Sequence, residues 1–522
     1  MRTGSLTGGP GRGTSAQNRA QHGSPRTARG RDSRFRSEAE AVLGVGGVHS
    51  PAGIPRPTEP REREGTLVRG VSRRAKGREI GVSLAPPPKL RRLQEALYTK
   101  AKQEPAYRFY LLYDKVYRRD ILAHAYALSK QRGGAPGVDG VTFEDIEAAG
   151  REPWLAAVQE ALRTETYRPH PVRRVLIPKP GGTGERPLGI PVIQDRVVQT
   201  AALLILQPIF EADLEPTAYG YRPGRTVVQA VQEVHRALCA GHTAVIDADL
   251  SSYFDSIPHA ALLQSLARRL SDRRMLRVLR QWLKTPVAEQ RPGGGWRFTG
   301  GKRSTRGTPQ GGCVSPLLAN VYMNRYLKVF RLRGLDRRYG ARLVNDADDL
   351  VVCCRSGAPE VLAQTRRWFT QMGLTLNEQK TRVCDGRTEP FTFLGYTFGP
   401  MHYRKTGQGY LGAAPAKKAV QRIKGRVRQI LHPGNQAPWP EVVRAVNAVL
   451  RGWAQYFSYG TRLMAYRAMD HYVYERVRHF LRRRHKVPSR GIQRFPAERV
   501  FGELGVFQFR RFQLGPPAHA LA

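Results

Sequence analysis

Residues 343–352 read LVNDADDLVV, and this segment limits the fold more than any other. The apolar residues on both sides read as two short strands. Between them stand Asp346, Asp348 and Asp349, three like charges within four residues. Such charges repel one another unless a cation compensates, and a divalent metal is the usual remedy. A charged turn between two strands is the plainer reading. A second segment bears on the choice. AVIDADL (244–250) is an apolar, β-branched strand ending in Asp247 and Asp249, roughly a hundred residues earlier. Carboxylates from two strands that meet in one sheet can hold two metal ions roughly 3.5–4 Å apart, as phosphoryl transfer onto a polynucleotide 3′-hydroxyl requires. Magnesium suits that site, because it takes hard oxygen ligands and leaves positions open for substrate phosphates.

The charge balance points to a partner. Lys and Arg number 86 against 42 Asp and Glu, a formal net charge of +44 in 522 residues. So large an excess repels itself and favours a polyanion, with nucleic acid first and a membrane surface second. The basic residues are spread over the whole chain, which favours nucleic acid. No run of 18 apolar residues occurs, so no transmembrane helix and no membrane partner are expected. The five cysteines (Cys239, Cys313, Cys353, Cys354 and Cys384) contain no CxxC pair, and an odd count closes no disulfide framework. A reducing compartment without structural zinc follows, most simply the bacterial cytoplasm.

Residues 1–88 are rich in Gly, Pro, Ser and Arg and lack sustained periodicity, so they read as a disordered basic arm. The same composition fits a transit peptide, which leaves an organellar location open, or a start site placed too far upstream. From Pro87 the pattern turns to amphipathic helices, punctuated by GGAPGVDG at 133–140. RRVLIPKP (173–180) reads as a strand, GGTGERP (181–187) as a tight basic loop, and 191–211 as a helix with Pro191 near its start. GLTLNEQKTRV (373–383) and FTFLGYTFG (391–399) read as strand, turn and strand. Beyond about residue 412 three basic amphipathic helices suggest a small bundle. Its Trp453, Tyr456, Phe457 and Tyr459 suit either stacking on RNA or an aromatic core.

In order along the chain stand GAPGVDG (134–140), VLIPKPGGTGERPLGIPVIQDRVVQ (175–199), AYGYRPGR (218–225), IDADLSSYFDSIPH (246–259), GTPQGGCVSPLLANVYMN (307–324), VNDADDLVV (344–352), GLTLNEQKTR (373–382), FTFLGYTFG (391–399) and GWAQYF (452–457). With these motifs the chain resembles the group II intron-encoded reverse transcriptases, or maturases, over most of residues 88–500. The resemblance implies an α+β right-hand polymerase. Fingers and palm would occupy 89–400, and an α-helical thumb and maturase domain 401–495, with a tail at 496–522. It further implies that Asp249, Asp348 and Asp349 are the catalytic, metal-holding carboxylates for two Mg2+ ions. Phe254 would lie under the sugar and select deoxynucleotides. Lys179 and Arg186 would meet the triphosphate, and Pro309, Gln310 and Gly311 would shape the nucleotide pocket. Asp255 and Arg222 read as structural. The implied partners are group II intron RNA, an RNA template with a DNA primer, deoxynucleoside triphosphates and a DNA target, the oligomeric state being undetermined. Some relatives carry a C-terminal DNA endonuclease with Cys pairs and His residues. Here FPAERVFGELGVFQFRRFQLGPPAHALA has no Cys and only His519, so no such nuclease is expected and the primer would come from a nick or a replication fork.

The family's hairpin usually reads YADD with a basic residue before the tyrosine, whereas this chain has Asn345-Asp346. Strand alternation would put position 346 on the face of Asp348. An aspartate there replaces an aromatic surface with a charge, which should raise the pKa of one of the acids. Loss of an arginine at 345 would remove a compensating charge. The expectation is a formally intact metal triad with weakened polymerisation. The alternatives are an RNA-binding splicing maturase whose polymerase is weak or lost, or a reverse transcriptase turned to host defence.

Overall fold

The computed structural model describes residues 84–178, 185–291, 293–309, 311–403 and 405–512. The N-terminal arm, Lys179, Gln310 and the side chain of Arg186 lie outside the described residues.

The chain enters through helix α1 (Pro88–Gln103) and helix α2 (Arg119–Arg132). Proline opens the first, where its missing N–H costs nothing. Gly133, at φ 63°, ends the second. Both lie against helix α3 (Ile193–Glu211), whose Val197, Val198, Ala201, Ala202, Ile205, Leu206 and Ile209 are fully buried. A helix this apolar on all sides belongs in a core, and the others are built around it. Gln94 of α1 donates to the Leu204 carbonyl at 3.0 Å, and the Arg196 guanidinium reaches the carbonyls of Gly133 and Ala135.

Three sheets follow. The first has the order β2-β1-β4-β5, from β1 (Val172–Pro178), β2 (Glu185–Ile190), β4 (Pro286–Gln290) and β5 (Trp296–Gly300). The second is antiparallel with the order β6-β7-β3-β8, from β3 (Ala244–Asp249), β6 (Arg342–Asp346), β7 (Asp349–Cys354) and β8 (Arg382–Asp385). The third, β11-β10-β9, holds β9 (Phe391–Phe393), β10 (Tyr396–His402) and β11 (Gly409–Pro415).

The second sheet positions the site, and side-chain alternation explains how. Ile246, Ala248, Leu343, Leu350 and Val352 enter the large core beneath α3, helix α5 (Ser315–Leu332) and helix α6 (Ala358–Gln371). Val245, Val344, Val351, Cys353 and Cys384 face the other way, into a smaller core shared with helix α4 (Val227–Cys239) and the third sheet. On this second face the apolar positions give way to aspartates toward the 249 end of β3.

The expected bundle is present as helices α7 (Lys417–Ile430), α8 (Trp439–Tyr456) and α9 (Leu463–Arg484), packed through Ile423, Val427, Val442, Val446, Leu450, Met469, Val473 and Val477. Phe457 is buried in the smaller core, and Trp453 touches both that core and the bundle's own. The Tyr459 hydroxyl meets His235 of α4 at 2.7 Å. These aromatics are therefore packing residues, while Tyr456 alone of the four stays substantially exposed.

Three expectations change. Residues 373–381 form a turn with a single bridge, Leu250 to Leu376, and the strand begins only at Arg382. The long β10–β11 hairpin takes a stretch with no strand expectation beyond residue 399. Residues 496–512 are no loose tail. Val500, Val506 and Phe509 are buried in the bundle core, and the Phe509 N–H donates to Asp470 at 2.7 Å.

Candidate active site

Ala347 and Asp348 make a two-residue turn between β6 and β7, with Ala347 at φ 59°. A left-handed conformation costs a non-glycine residue about 1 kcal/mol, and the surroundings hold it there. Asn345, 1% exposed, donates its amide to the Ala347 carbonyl at 3.0 Å and the Asp349 carbonyl at 3.2 Å. The backbone of 217–219 pairs with Asn345 from the other side, through Tyr219 N–H to Asn345 O at 2.8 Å and Asn345 N–H to Thr217 O at 2.9 Å. A Cβ on Gly220 would lie 2.7 Å from the Ala347 nitrogen and 2.9 Å from Asp346 Oδ1. The glycine of AYGYRPGR is thus required for the hairpin to sit where it does. Its carbonyl accepts from Asn320 of α5 at 2.7 Å.

The hairpin sets three acids in a row across three strands. Asp346 pairs with Asp349, and Asp349 pairs with Asp249. Directly opposed residues in antiparallel strands have Cα atoms about 4.5–5.5 Å apart. Asp348 projects from the turn beside them. Burial, then the charges of Asp348 and Asp249, push the Asp349 carboxyl up to about 7. Burial and the Asp348 charge raise Asp346 as well. The expected rise is present, with burial as its larger cause. Two other expectations are corrected. Asp346 does not share strand alternation with Asp348, because 347–348 form the turn; its counterpart is Asp349. Position 345 lies on the large-core face and is buried, so an arginine there would not stand among the acids.

The β3 acids have cations of their own. Lys380 Nζ lies 2.8 Å from Asp249 Oδ2, and Asn377 Nδ2 lies 3.4 Å from the same oxygen. The Arg382 Nε lies 3.6 Å from Asp247 Oδ2. No ion pair involves Asp346, Asp348 or Asp349 among the described residues. Lys380, Asn377 and Arg382 lie in the GLTLNEQKTR motif, where nothing in the sequence marks a role for them; only the pairing of β8 with β3 brings them to the acids.

Around this row lie the other expected residues. Ser252, at φ 47°, turns the chain after β3. Tyr253 is buried with its hydroxyl donating to Ala319 O at 2.6 Å, which leaves Phe254 half-buried beside Tyr221 at 6.2 Å between ring centroids. The Phe254 carbonyl accepts from Thr308 N–H at 2.7 Å and the Ile257 carbonyl from Gly307 N–H at 2.9 Å, so the turn after β3 is tied to Gly307 and Thr308. Pro309 O accepts from Ser315 Oγ at 2.9 Å. Gly311, at φ 103°, is pressed onto β2, where a Cβ would come within 2.0 Å of Gly189 O. Gln199 of α3, another residue without a sequence role, holds the Cys313 N–H at 2.8 Å. A cleft of about 280 Å³ lies here, lined by Arg174, Gly189, Asp255, Arg306 and Pro309 among others. Arg222 is structural, bonding Glu211 at 2.6 Å and the carbonyls of Glu215 and Ala218, both at 2.8 Å.

As the side chains stand, no three His, Cys, Asp or Glu residues among the described residues converge on one point. The donor set nevertheless suits a divalent cation. It is all carboxylate oxygen, half-buried, without a fixed counter-charge on the hairpin, and one of its members has drawn an ammonium group onto itself.

Residues 177–398 match the reverse transcriptase (RNA-dependent DNA polymerase) family, and residues 420–495 match the group II intron, maturase-specific domain. Protein YkfC of Escherichia coli is 39% identical over 244 residues, 45% of this chain and 60% of its own. Group II intron-encoded protein LtrA of Lactococcus lactis is 32% identical over 216 residues, 41% of this chain and 34% of its own. An uncharacterized 91 kDa protein in the cob intron of Schizosaccharomyces pombe is 24% identical over 425 residues, 66% of this chain and 50% of its own. The match spans less than two thirds of each of these relatives. No helix among the described residues is long and apolar enough to cross a membrane. A reverse transcriptase region with its acids in one row, followed by a maturase-specific domain, identifies the chain as a member of the group II intron reverse transcriptase and maturase family.

Proposed function

We propose that the chain is an RNA-directed DNA polymerase of a group II intron that also assists splicing and mobility of its intron RNA. The observation that carries this reading is the row of Asp346, Asp349 and Asp249 across the sheet, backed by the bond that ties Thr308 to Phe254. Reverse transcriptases use divalent metal ions. In this reading Asp249, Asp348 and Asp349 would hold two Mg2+ ions, whose chemistry when bound is to ease deprotonation of a primer 3′-hydroxyl and to neutralise pyrophosphate. Lys380, 2.8 Å from Asp249, would compete with a bound cation for that carboxylate. Phe254 stands under the incoming sugar and rejects a 2′-hydroxyl by contact. Pro309, Gln310 and Gly311 form the wall of the deoxynucleoside triphosphate pocket, and Gly311 allows the backbone of β2 to close on it. Lys179 and Arg186 offer counter-charge to the triphosphate. A groove of about 1250 Å³, lined by Lys418, Arg422, Arg426, Trp453 and Tyr456 among others, suits an RNA template with its DNA primer. Group II intron RNA and a DNA target complete the partners.

The second reading, a splicing maturase with a weak polymerase, is favoured by one observation, the negative charge of Asp346 opposite Asp349. Primer extension on an RNA template, with Asp348→Ala as the blank, separates the two. Extension clearly above the blank supports the polymerase. Extension equal to it leaves the RNA-binding function.

A further inference from the structure

The helical bundle holds a second concave site. A cavity of about 280 Å³ opens between the C-terminal half of α9 and the loop that follows α7. Leu431 and Phe480, both buried, form its floor. Arg476, His479, Arg483 and Arg484 stand around it on successive turns of α9, and no aspartate or glutamate lines it. Arg484 is anchored, with Nη1 donating to the Ala437 carbonyl at 2.8 Å and its guanidinium 5.9 Å from the Phe480 ring. His479 leans out toward Glu475, at 3.5 Å. Arg476 and Arg483 form no ion pair among the described residues, and the Nε of Arg476 is buried without a hydrogen-bond partner.

Four basic side chains around a cavity that no acid lines favour an anion within it. The space of about 280 Å³ is more than a phosphate group fills. Arginine forks suit phosphate oxygens, and an apolar floor beside guanidinium planes suits a nucleobase. Bases become available to such a cavity only where they leave the stack, in loops and bulges of RNA.

We infer that this cavity docks a single unstacked nucleotide of an RNA strand, with its phosphate between Arg476 and Arg483 and its base on Leu431 and Phe480. The inference rests on the chain being an RNA-binding protein and is independent of the carboxylate centre.

The test uses the full chain and two RNA hairpins that differ only by one bulged adenosine, with binding measured at several salt concentrations. The unchanged protein is expected to prefer the bulged hairpin about tenfold. Arg483→Gln should reduce that preference to about twofold or less and lower the salt slope by about one. Arg476→Lys, which keeps the charge but loses the fork, should do the same to the preference with an unchanged melting temperature. Equal weakening on both hairpins, or none on either, overturns the inference. Adenosine monophosphate that displaces the bulged hairpin at the hairpin's own concentration overturns the assignment to RNA. Asp348→Ala is expected to lose primer extension and keep the bulge preference, so failure of the polymerase reading leaves this result readable.

Discussion

Asp346 and Asp349 face one another as the last cross-strand pair of the β6–β7 ladder, one step before the turn. Neither has a cation partner among the described residues, and burial raises both carboxyls. Two unit charges about 5 Å apart repel by about 1 kcal/mol in bulk water and by more in a half-buried site, and Asp346 sets the same kind of charge against an approaching phosphate. Asp346→Asn should therefore ease the approach of the primer's phosphates and raise kcat/KM for primer extension by roughly fivefold. Asp346→Tyr should raise it further by restoring an aromatic surface. An unchanged rate in both variants would show that Asp346 does not impede the polymerase.

The Lys380–Asp249 ion pair is mostly exposed on the lysine side, so it contributes little to folding, on the order of 1 kcal/mol or less. Its effect should lie in competition for Asp249. Lys380→Gln is expected to lower the Mg2+ concentration giving half-maximal extension by about two- to fivefold, with a melting temperature within about 2 °C of the parent. A Mg2+ titration that does not move would sink the idea.

Gly220→Ala tests the hairpin's seat. The added methyl meets the Ala347 backbone, which cannot rotate away as a side chain could. Overpacking of this kind typically costs about 1–3 kcal/mol. Thermal melts should show that loss, and primer extension should fall by more than tenfold because the displaced atoms carry Asp346 and Asp348. Full activity in the alanine variant would mean that the hairpin accommodates the methyl at no cost.

Far from the acids, Asp195 sits within α3 and is nearly inaccessible. It accepts from the Tyr167 hydroxyl at 2.6 Å and the His170 N–H at 2.9 Å. Burial outweighs both and pushes its carboxyl up from 3.8 to about 6. The folded chain thus keeps a proton that the unfolded chain has lost between those values. Its contribution to stability is complete below about pH 3.8 and lost as pH rises through about 6. Urea melts across pH 4–7 should show a descending slope in the parent that flattens in Asp195→Asn, the difference reaching at most about 1.4 kcal/mol per pH unit. Parallel slopes would contradict the assignment.

The carboxylate row was legible because both strands alternate cleanly. Val245, Asp247 and Asp249 share one parity, and Val344 and Asp346 share another that meets it across β7. What failed was phase at the turn. A two-residue turn resets the face on which the next side chain emerges, so a reading by alternation coupled Asp346 to Asp348. The strands β4 and β11, PVAEQ and GYLGAAP, carry small or mixed residues with no period of two, so only their pairing partners define them. Lys380, Asn377 and Gln199 escaped for a different reason. Their roles exist only between segments more than a hundred residues apart.

Trp453 and Phe457 have a consequence for how this molecule could open and close. Phe457 is buried in the smaller core, and Trp453, 4.7 Å from it between ring centroids, packs against that core and the bundle's own, so swinging the bundle outward would expose both rings. Fully burying one large apolar side chain is worth about 1.5–3 kcal/mol, and both would be lost together. The bundle is therefore a fixed jaw. The compliant jaw is the β2-β1-β4-β5 sheet, where Leu176, Ile177 and Phe298 remain exposed and little apolar contact resists displacement.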